Sequence, residues 1–285
     1  MQVLFFLMFT VASLVGGFAL AGGYLKNLWQ PYEIVMIGGA GIGFFFASNT
    51  VHGIKMFGRY IGYCFKKPFC TDKFSQSMGL LVKLHKVYED NPKELAKELE
   101  DPSASQIFNQ YPLVLKDSDA VKYIANNLNT IIDEGADLTP FDYEDIFEAE
   151  LEQYSKEAMM PYKSMNSLVD TFPALGIAAA VMGIIIAMQF LDAGMMKLGA
   201  KIGAALFGTF FGVFMAYGIC KPFALKFAKF GEETDLYYGF LRSYLLCIAK
   251  RHSSMKAPII ANRDIPPRYK LDTNVLREKL MKEEL

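Results

Sequence analysis

Residues 171–222 contain two long apolar stretches joined by a short polar turn, and this feature constrains the fold more than any other. The stretches cover residues 171–190 and 202–220, and neither contains Asp, Glu, Lys, Arg or His. At about 1.5 Å per residue, each is long enough to cross a hydrocarbon core of about 30 Å as a helix. The sequence therefore predicts a transmembrane helical hairpin.

Small residues are dense in both halves of this hairpin. Such residues let helix backbones approach closely, which is how helices associate where lipid removes the hydrophobic driving force. The pattern predicts tight packing of the two helices against each other or against further helices. The small residues are Gly176, Ala180, Gly183, Gly203, Gly208 and Gly212.

Two more apolar stretches precede the polar part of the chain, at residues 1–21 and 34–50. A cleaved signal peptide is the alternative for the first, because Ala19-Leu20-Ala21 resembles a cleavage site. No basic residue precedes it, however, and a second apolar stretch follows closely, so we expect a retained helix. Tyr24, Trp29 and Tyr32 lie between the two stretches, as is typical of a membrane surface.

The remaining segments are polar and show helical periodicity without strand patterns. Helices are expected over residues 78–88, from Pro92, from Ser118 to about Glu134, over 139–159 and over 223–252. The predicted fold is an all-α, polytopic membrane protein with four transmembrane helices and a helical cytoplasmic lobe. Its predicted divisions are residues 1–54 (helices one and two), 55–167 (lobe), 168–222 (helices three and four) and 223–285 (a cytoplasmic helix and a peripheral tail).

Basic residues near the ends of the apolar stretches predict the topology. The positive-inside rule places both termini and the lobe in the cytoplasm, although Lys26, Lys197 and Lys201 in the short connections dilute the bias. The basic residues that follow the second and fourth stretches are Lys55, Arg59, Lys66, Lys67, Lys221, Lys226 and Lys229.

Enzyme and nucleic-acid functions find no support in the sequence. The formal net charge is -1, which suggests no nucleic-acid partner. No P-loop, HExxH or G-x-S-x-G motif occurs, and the three His and four Cys are scattered, so we expect no cofactor and no metal site. A cation pathway normally requires an ionisable group at membrane depth. Since no predicted span has one at its centre, an ion-conducting role would need a carboxylate from another protein.

Two motifs in the hairpin carry a family resemblance. They are P-A-L-G-I-A-A-A-V-M-G at residues 173–183 and G-T-F-F-G-V-F-M-A-Y-G at 208–218, followed by Pro222. Both resemble the third and fourth transmembrane segments of the MotA family, the larger stator subunit of the bacterial flagellar motor. The stretches G-G-Y at 22–24, Q-P-Y-E at 30–33 and G-G-A-G-I-G at 38–43 resemble the same family. Within it, the sequence is similar to the enterobacterial proton type and to lateral-flagellar stators such as LafT.

The resemblance implies a function that depends on other proteins. A single-span MotB-type partner, in two copies, would bring the ion-binding Asp, and five copies of this chain would surround it in the bacterial inner membrane. Proton flow would then be coupled to torque on the rotor protein FliG. The alternative is a channel subunit of the ExbB/TolQ kind that energises outer-membrane processes. Those relatives have three spans, so the two spans predicted before residue 55 favour the stator.

The resemblance also implies roles for five hairpin residues. Pro173 and Pro222 match prolines that couple ion occupancy to lobe movement, although each could simply mark a helix end. Thr209 matches a threonine that faces the partner helix, although its hydroxyl could instead bond its own helix. Ala180 stands where sodium-driven relatives carry Thr, which favours protons because the oxygen ligand is lost. Tyr217 is the fifth residue assigned to the ion pathway.

The rotor-facing charges depart from the family pattern. The family has an Arg, and a Glu eight residues on, where this chain has Tyr88 and Ala96. Nearby charges could replace them, because a screened electrostatic contact tolerates displacement; the alternatives are an ordinary solvated face or a rotor contact on the acidic segment 144–152. The candidate rotor-contact residues are Lys93, Lys97, Glu98, Glu100 and Asp101.

Overall fold

The computed structural model describes residues 2–65, 68–133 and 137–282, with side chains from residue 5 onward. Every regular element in these ranges is helical, which confirms the all-α prediction. The α-helices are α1 (Gln2–Leu20), α2 (Pro31–Ser48), α3 (Val51–Tyr63), α4 (Thr71–Asp90), α5 (Pro92–Glu100), α6 (Pro112–Leu115), α7 (Ser118–Asp133), α8 (Pro140–Ala158), α9 (Met160–Met188), α10 (Met195–Val213), α11 (Lys221–Ala249), α12 (Ala257–Ala261) and α13 (Thr273–Met281). Lys66, Lys67 and Glu134, which entered the topology and helix predictions, lie outside the described residues.

Three helical segments are long and apolar enough to cross a membrane: Leu25–Ser48, Pro140–Met188 and Met195–Ala249. A shorter apolar helix covers Phe5–Leu20. All four predicted apolar stretches therefore lie in helices, and four passes through the membrane stay a prediction.

The chain divides into two compact units. The membrane unit comprises residues 1–66 and 159–231, and the lobe unit comprises residues 67–158 and 232–285. These boundaries differ from the predicted ones at 55, 167 and 222. The reason is packing: Tyr60 of α3 and Phe227 of α11 are buried together with Leu168 of α9 in the core of the membrane unit.

Aromatic rings fill one end of the membrane unit's core. The Tyr60 and Phe227 rings meet edge to face at 5.8 Å between centroids, and Phe57 meets Phe227 in the same way at 5.4 Å. Edge-to-face pairs are a favourable arrangement of aromatic quadrupoles. The hydroxyl of Thr50 accepts a hydrogen bond from the Gly53 backbone N–H, which caps the start of α3.

The lobe unit has its own core, built mainly by α4, α7 and α11. Its centre is unusually rich in buried tyrosine and phenylalanine, including Phe74, Tyr123 and Tyr237. Lys73 is buried at the rim, where its ammonium lies 2.7 Å from Asp117 and 4.4 Å from the centroid of the Tyr237 ring. The pair ties α4 to the residue that precedes α7.

The tail from Pro266 onward, expected to be peripheral, contributes to this core. Its Leu276 and Leu280 are buried in the lobe's main cluster, as are Ala257, Ala261 and Ile265 just before it. The Asp272 carboxylate accepts hydrogen bonds from the N–H groups of Asn274 and Val275, which starts α13. The two prolines at 266–267 had suggested a loose tail, but the apolar spacing of α13 buries one of its faces.

Candidate functional site

Helices α9 and α10 meet backbone to backbone. A Cβ atom placed on Gly176 would lie 2.9 Å from the Gly208 carbonyl oxygen and 3.0 Å from the Gly212 Cα. One placed on Gly212 would lie 2.6 Å from the Phe172 carbonyl oxygen. Any side chain at these positions would push the helices apart, so the glycines form the contact itself. The predicted tight packing is thus present between the two halves of the hairpin.

Not every glycine of the sequence motif takes part. A Cβ on Gly183 would lie 2.7 Å from the Cβ of Ala205, which extends the contact towards the α9–α10 turn. A Cβ on Gly203, in contrast, would have no atom within 4 Å. In the segment 38–43, Gly41 alone lies against another side chain, that of Phe172.

Pro173 lies well inside α9, which begins at Met160. The alternative that this proline marks a helix end is therefore wrong. Because proline has no N–H, the carbonyl of Val169 lacks its usual donor four residues on, and the helix is locally weakened there.

Between α10 and α11 the chain forms a π-helix over Phe214–Cys220. The Lys221 N–H donates to the carbonyl of Ala216, five residues back. Pro222 is exposed in the first turn of α11, where proline is tolerated. The sequence shows that Pro222 has no backbone N–H to donate, but the sequence analysis did not predict the π-helix that precedes it. Such segments occur frequently at functional sites.

The other pathway residues lie along the same hairpin. Ala180 is only 8% exposed, and its backbone nitrogen would lie 3.3 Å from a Cβ on Gly208. Thr209 follows Gly208 in α10 and is half-buried. Its role at the partner helix stays a prediction. Tyr217 is in the π-helix with 58% of its surface exposed.

One face of this hairpin is apolar and largely exposed. Leu206, Phe210 and Val213 of α10 and Tyr217 of the π-helix recur at helical spacing, and each exposes more than 40% of its surface. In a membrane, such a face is covered by lipid or by helices of other chains.

The rotor-contact candidates separate into two groups. The Glu98 carboxylate accepts a short hydrogen bond from the Ser105 hydroxyl, and Asp101 accepts one from the Ser103 N–H at 3.0 Å. Both residues therefore stabilise the turn after α5. The side chains of Lys93, Lys97 and Glu100 are exposed on α5. Tyr88 and Ala96, which replace the family's charged pair, are half-buried.

Some carboxylates of the acidic helix α8 make contacts within the lobe unit. Glu148 pairs with Arg242 at 2.6 Å and Glu144 pairs with Lys250. The hydrogen bond from Lys250 lowers the pKa of Glu144. Burial raises the pKa of Glu150, which accepts a hydrogen bond from the Asn127 amide at 2.6 Å. Glu144 and Glu150 are half-buried, whereas Asp145, Glu148 and Glu152 are exposed, so α8 also presents acidic groups at the surface of the lobe unit. Among the residues with described positions, no group of three His, Cys, Asp or Glu could hold a metal ion.

Comparisons with known proteins agree with this arrangement. The motility protein A N-terminal model matches residues 6–92, and the MotA/TolQ/ExbB proton channel family model matches residues 119–238. Motility protein A of Salmonella typhimurium is 34% identical over 238 residues, which cover 82% of this chain and 79% of the relative. The chain belongs to the motility protein A family. It is thus a membrane protein and a flagellar motor stator subunit, in a family of stators and proton channels rather than a known enzyme class.

Other members are similar over comparable lengths. Motility protein A of Escherichia coli is 33% identical over 82% of this chain and 80% of the relative. Chemotaxis protein LafT of Vibrio parahaemolyticus is 29% identical over 94% of both. The match to the N-terminal motility protein A model favours the stator over the ExbB/TolQ alternative, because only the second model is named for both kinds of protein.

Two solved structures share the fold. The structure of C. jejuni MotAB has a TM-score of 0.71 at 16% identity and covers 95% of this chain and 98% of its own. The flagellar MotAB stator complex from Bacillus subtilis has a TM-score of 0.67 at 18% identity, with coverages of 94% and 98%.

Proposed function

We propose that this motility protein A family member forms the wall of a proton pathway whose titratable group comes from a MotB-type partner. The observation that carries the proposal is the α9–α10 hairpin, which packs backbone to backbone and has no Asp, Glu, Lys, Arg or His in either of its apolar stretches. A wall of this kind cannot relay protons alone. A carboxylate on a partner helix would supply the missing group, and Thr209 lies near it in this arrangement.

We further propose that two copies of the partner are surrounded by five copies of this chain in the inner membrane. The exposed apolar face of α10 supports contacts with other helices and lipid. Four passes with both termini and the lobe in the cytoplasm agree with the lysines after the second and fourth stretches. The predicted divisions at 1–54, 55–167, 168–222 and 223–285 describe this topology, while the compact units follow side-chain packing.

Protons are the proposed coupling ion. Ala180 supplies no hydroxyl or carboxylate oxygen, and Na⁺, as a hard cation, requires oxygen ligands. Ala180 is buried, so its side chain contributes packing where a threonine would add a ligand.

Torque is proposed to reach the rotor protein FliG through the exposed charges of α5. Lys93, Lys97 and Glu100 are the residues best placed for this contact, since Glu98 and Asp101 already stabilise the adjacent turn. Pro173 and the segment from Tyr217 to Pro222 are proposed to allow the helices to bend when ion occupancy changes.

The decisive experiment measures proton flux in vesicles with and without the partner. The chain alone should conduct no protons, and the chain with a MotB-type partner should conduct them and restore swimming to a strain that lacks its own stator. The same strain should swim in sodium-free medium and stop on addition of a protonophore. Flux through the chain alone would contradict the partner-supplied carboxylate, and speed that follows external Na⁺ would contradict the role of Ala180.

A further inference from the structure

A cavity of about 600 Å³ lies in the membrane unit between α1, the 3₁₀ turn Leu25–Leu28 and α10. Leu14 and Phe18 line it from α1, and Phe207 and Phe210 line it from α10. The described residues that line it are otherwise apolar or small, apart from two amides, Asn27 and Gln30, at one end. Cavities with apolar walls and a few polar groups at one end are typical of sites for small ligands.

Glycines keep this cavity open. Gly199 and Gly203 line it from α10, and a Cβ on either would meet no atom within 4 Å. Their role differs from that of Gly176 and Gly212, where a Cβ would strike the neighbouring backbone. On this face of α10 the small residues create space and do not form a helix contact.

The length of the cavity corresponds to one leaflet of a bilayer. Its α10 wall from Gly199 to Phe210 extends about 16 Å at 1.5 Å per residue. This is close to half of a hydrocarbon core of about 30 Å. Tyr24, Trp29 and Tyr32 are highly exposed around the polar end. Exposed aromatic side chains of this kind mark a membrane–water interface, so the cavity extends from the interface towards the bilayer centre.

Charge at the polar end is the second observation. Lys26 is exposed in the same 3₁₀ turn as Asn27, and Lys197 is exposed in the first turn of α10. The positive-inside rule does not account for lysines in these connections. A lipid phosphate does account for them, because a Lys ammonium binds phosphate as a point charge. The acidic residue of the α9–α10 turn is Asp192.

We propose that this cavity binds one acyl chain of a phospholipid, with the headgroup phosphate beside Lys26 and the ester region beside Asn27 and Gln30. A hydrocarbon chain fits the apolar walls and the depth of a single leaflet.

Native mass spectrometry of the purified complex of this chain with its partner tests the site. Wild type should retain phospholipid through detergent exchange, and Gly203→Leu, which fills the cavity, should reduce retention at least about tenfold. Gly43→Leu is the matched control, because a Cβ there also meets no atom within 4 Å and Gly43 does not line the cavity. Lys26→Gln should reduce the preference for phosphatidylglycerol over phosphatidylethanolamine. Equal retention by wild type, Gly203→Leu and Gly43→Leu would overturn the proposal.

A second measurement on the wild type does not depend on any variant folding. The complex is reconstituted with a phospholipid that carries a photoreactive group near the end of one acyl chain, and the labelled peptides are identified. Labelling should concentrate in residues 199–210 of α10 and in α1 near Leu14. Labelling only on other apolar faces, or cross-links from a second copy of the chain into the cavity, would show that its occupant is not an acyl chain.

Discussion

At the scale of single residues, the glycines of the hairpin have two different roles: some form the contact between α9 and α10, and others line the cavity. Substitutions should distinguish these roles. Gly176→Leu should disrupt the membrane unit, because its Cβ would lie 2.9 Å from the Gly208 carbonyl oxygen and 3.0 Å from the Gly212 Cα. Backbone atoms cannot rotate away from such a contact as a side chain can. Overpacking of this kind costs about 1–3 kcal/mol or more. We expect a lower melting temperature of the complex and less chain in membranes. Gly43→Leu, which meets no atom within 4 Å, should leave both unchanged.

His85 makes the lobe unit sensitive to acid. It is almost fully buried in α4, and its ring packs edge to face against Tyr244. Burial lowers the pKa of His85, and this effect outweighs the opposing influence of Glu89. The unfolded chain therefore binds more protons than the folded one between the two pKa values. Stability should fall as the pH decreases through about 6.5, the ordinary histidine value.

The measurement for His85 is thermal unfolding of the purified complex by circular dichroism at pH 7.5 and pH 5.5. His85→Gln should reduce the difference between the two melting temperatures, whatever its effect on stability at pH 7.5. The exposed His52 provides the control, and His52→Gln should keep the wild-type difference. A pH difference unchanged in His85→Gln would assign the acid sensitivity to other groups.

At the scale of helices, Pro173 is the position at which α9 should bend most easily. Pro173→Ala restores an N–H that can bond the Val169 carbonyl and so completes the helix ladder. We expect membrane levels and partner binding near those of wild type but a severe loss of swimming, because the helix would resist bending. Leu175→Ala, at a half-buried position two residues on, is the comparison. Normal swimming by Pro173→Ala would leave this proline without a coupling role.

The existence of the helices could be predicted from sequence, but their internal irregularity could not. Apolar length and helical periodicity predicted α1, α2, α9 and α10, and Pro92 predicted the start of α5. The π-helix at Phe214–Cys220 gives no periodic signal, because a local change in hydrogen-bond register leaves apolar composition unchanged. The sequence also could not divide the small residues of α10 between helix contact and cavity wall. That division depends on which neighbour each residue faces.

At the scale of the whole molecule, sequence analysis could not predict which residues far apart in the chain contact each other. The charge-rich segment 144–152 had the composition of an interaction surface, yet Arg242 and Lys250, about a hundred residues away, pair with Glu148 and Glu144. The segment from Pro266 onward had the composition of a loose tail, yet Leu276 and Leu280 are buried in the lobe core. Both outcomes depend on segments that are distant in the chain.

The rotor contact is a prediction about the assembled motor. Reversing Lys93 and Lys97 to Glu together should reduce swimming speed and leave membrane levels unchanged, whereas each single change should have little effect, because an exposed pair is worth about 0–1 kcal/mol. Lys122→Glu, at an exposed position of α7, controls for a general change in charge. Swimming at wild-type speed by the double variant would show that torque passes through a surface other than α5.

The glycine contact between α9 and α10 has a mechanical consequence. Where helices meet through side chains, rotamer changes and small gaps take up part of any displacement. Here the backbones touch at Gly176 and Gly212 with no intervening side chains, so the two helices have little room to shift against each other at this contact. A displacement of one helix should therefore move the other with it. Flexibility is then confined to the two interruptions of the ladder, Pro173 in α9 and the seven residues of the π-helix.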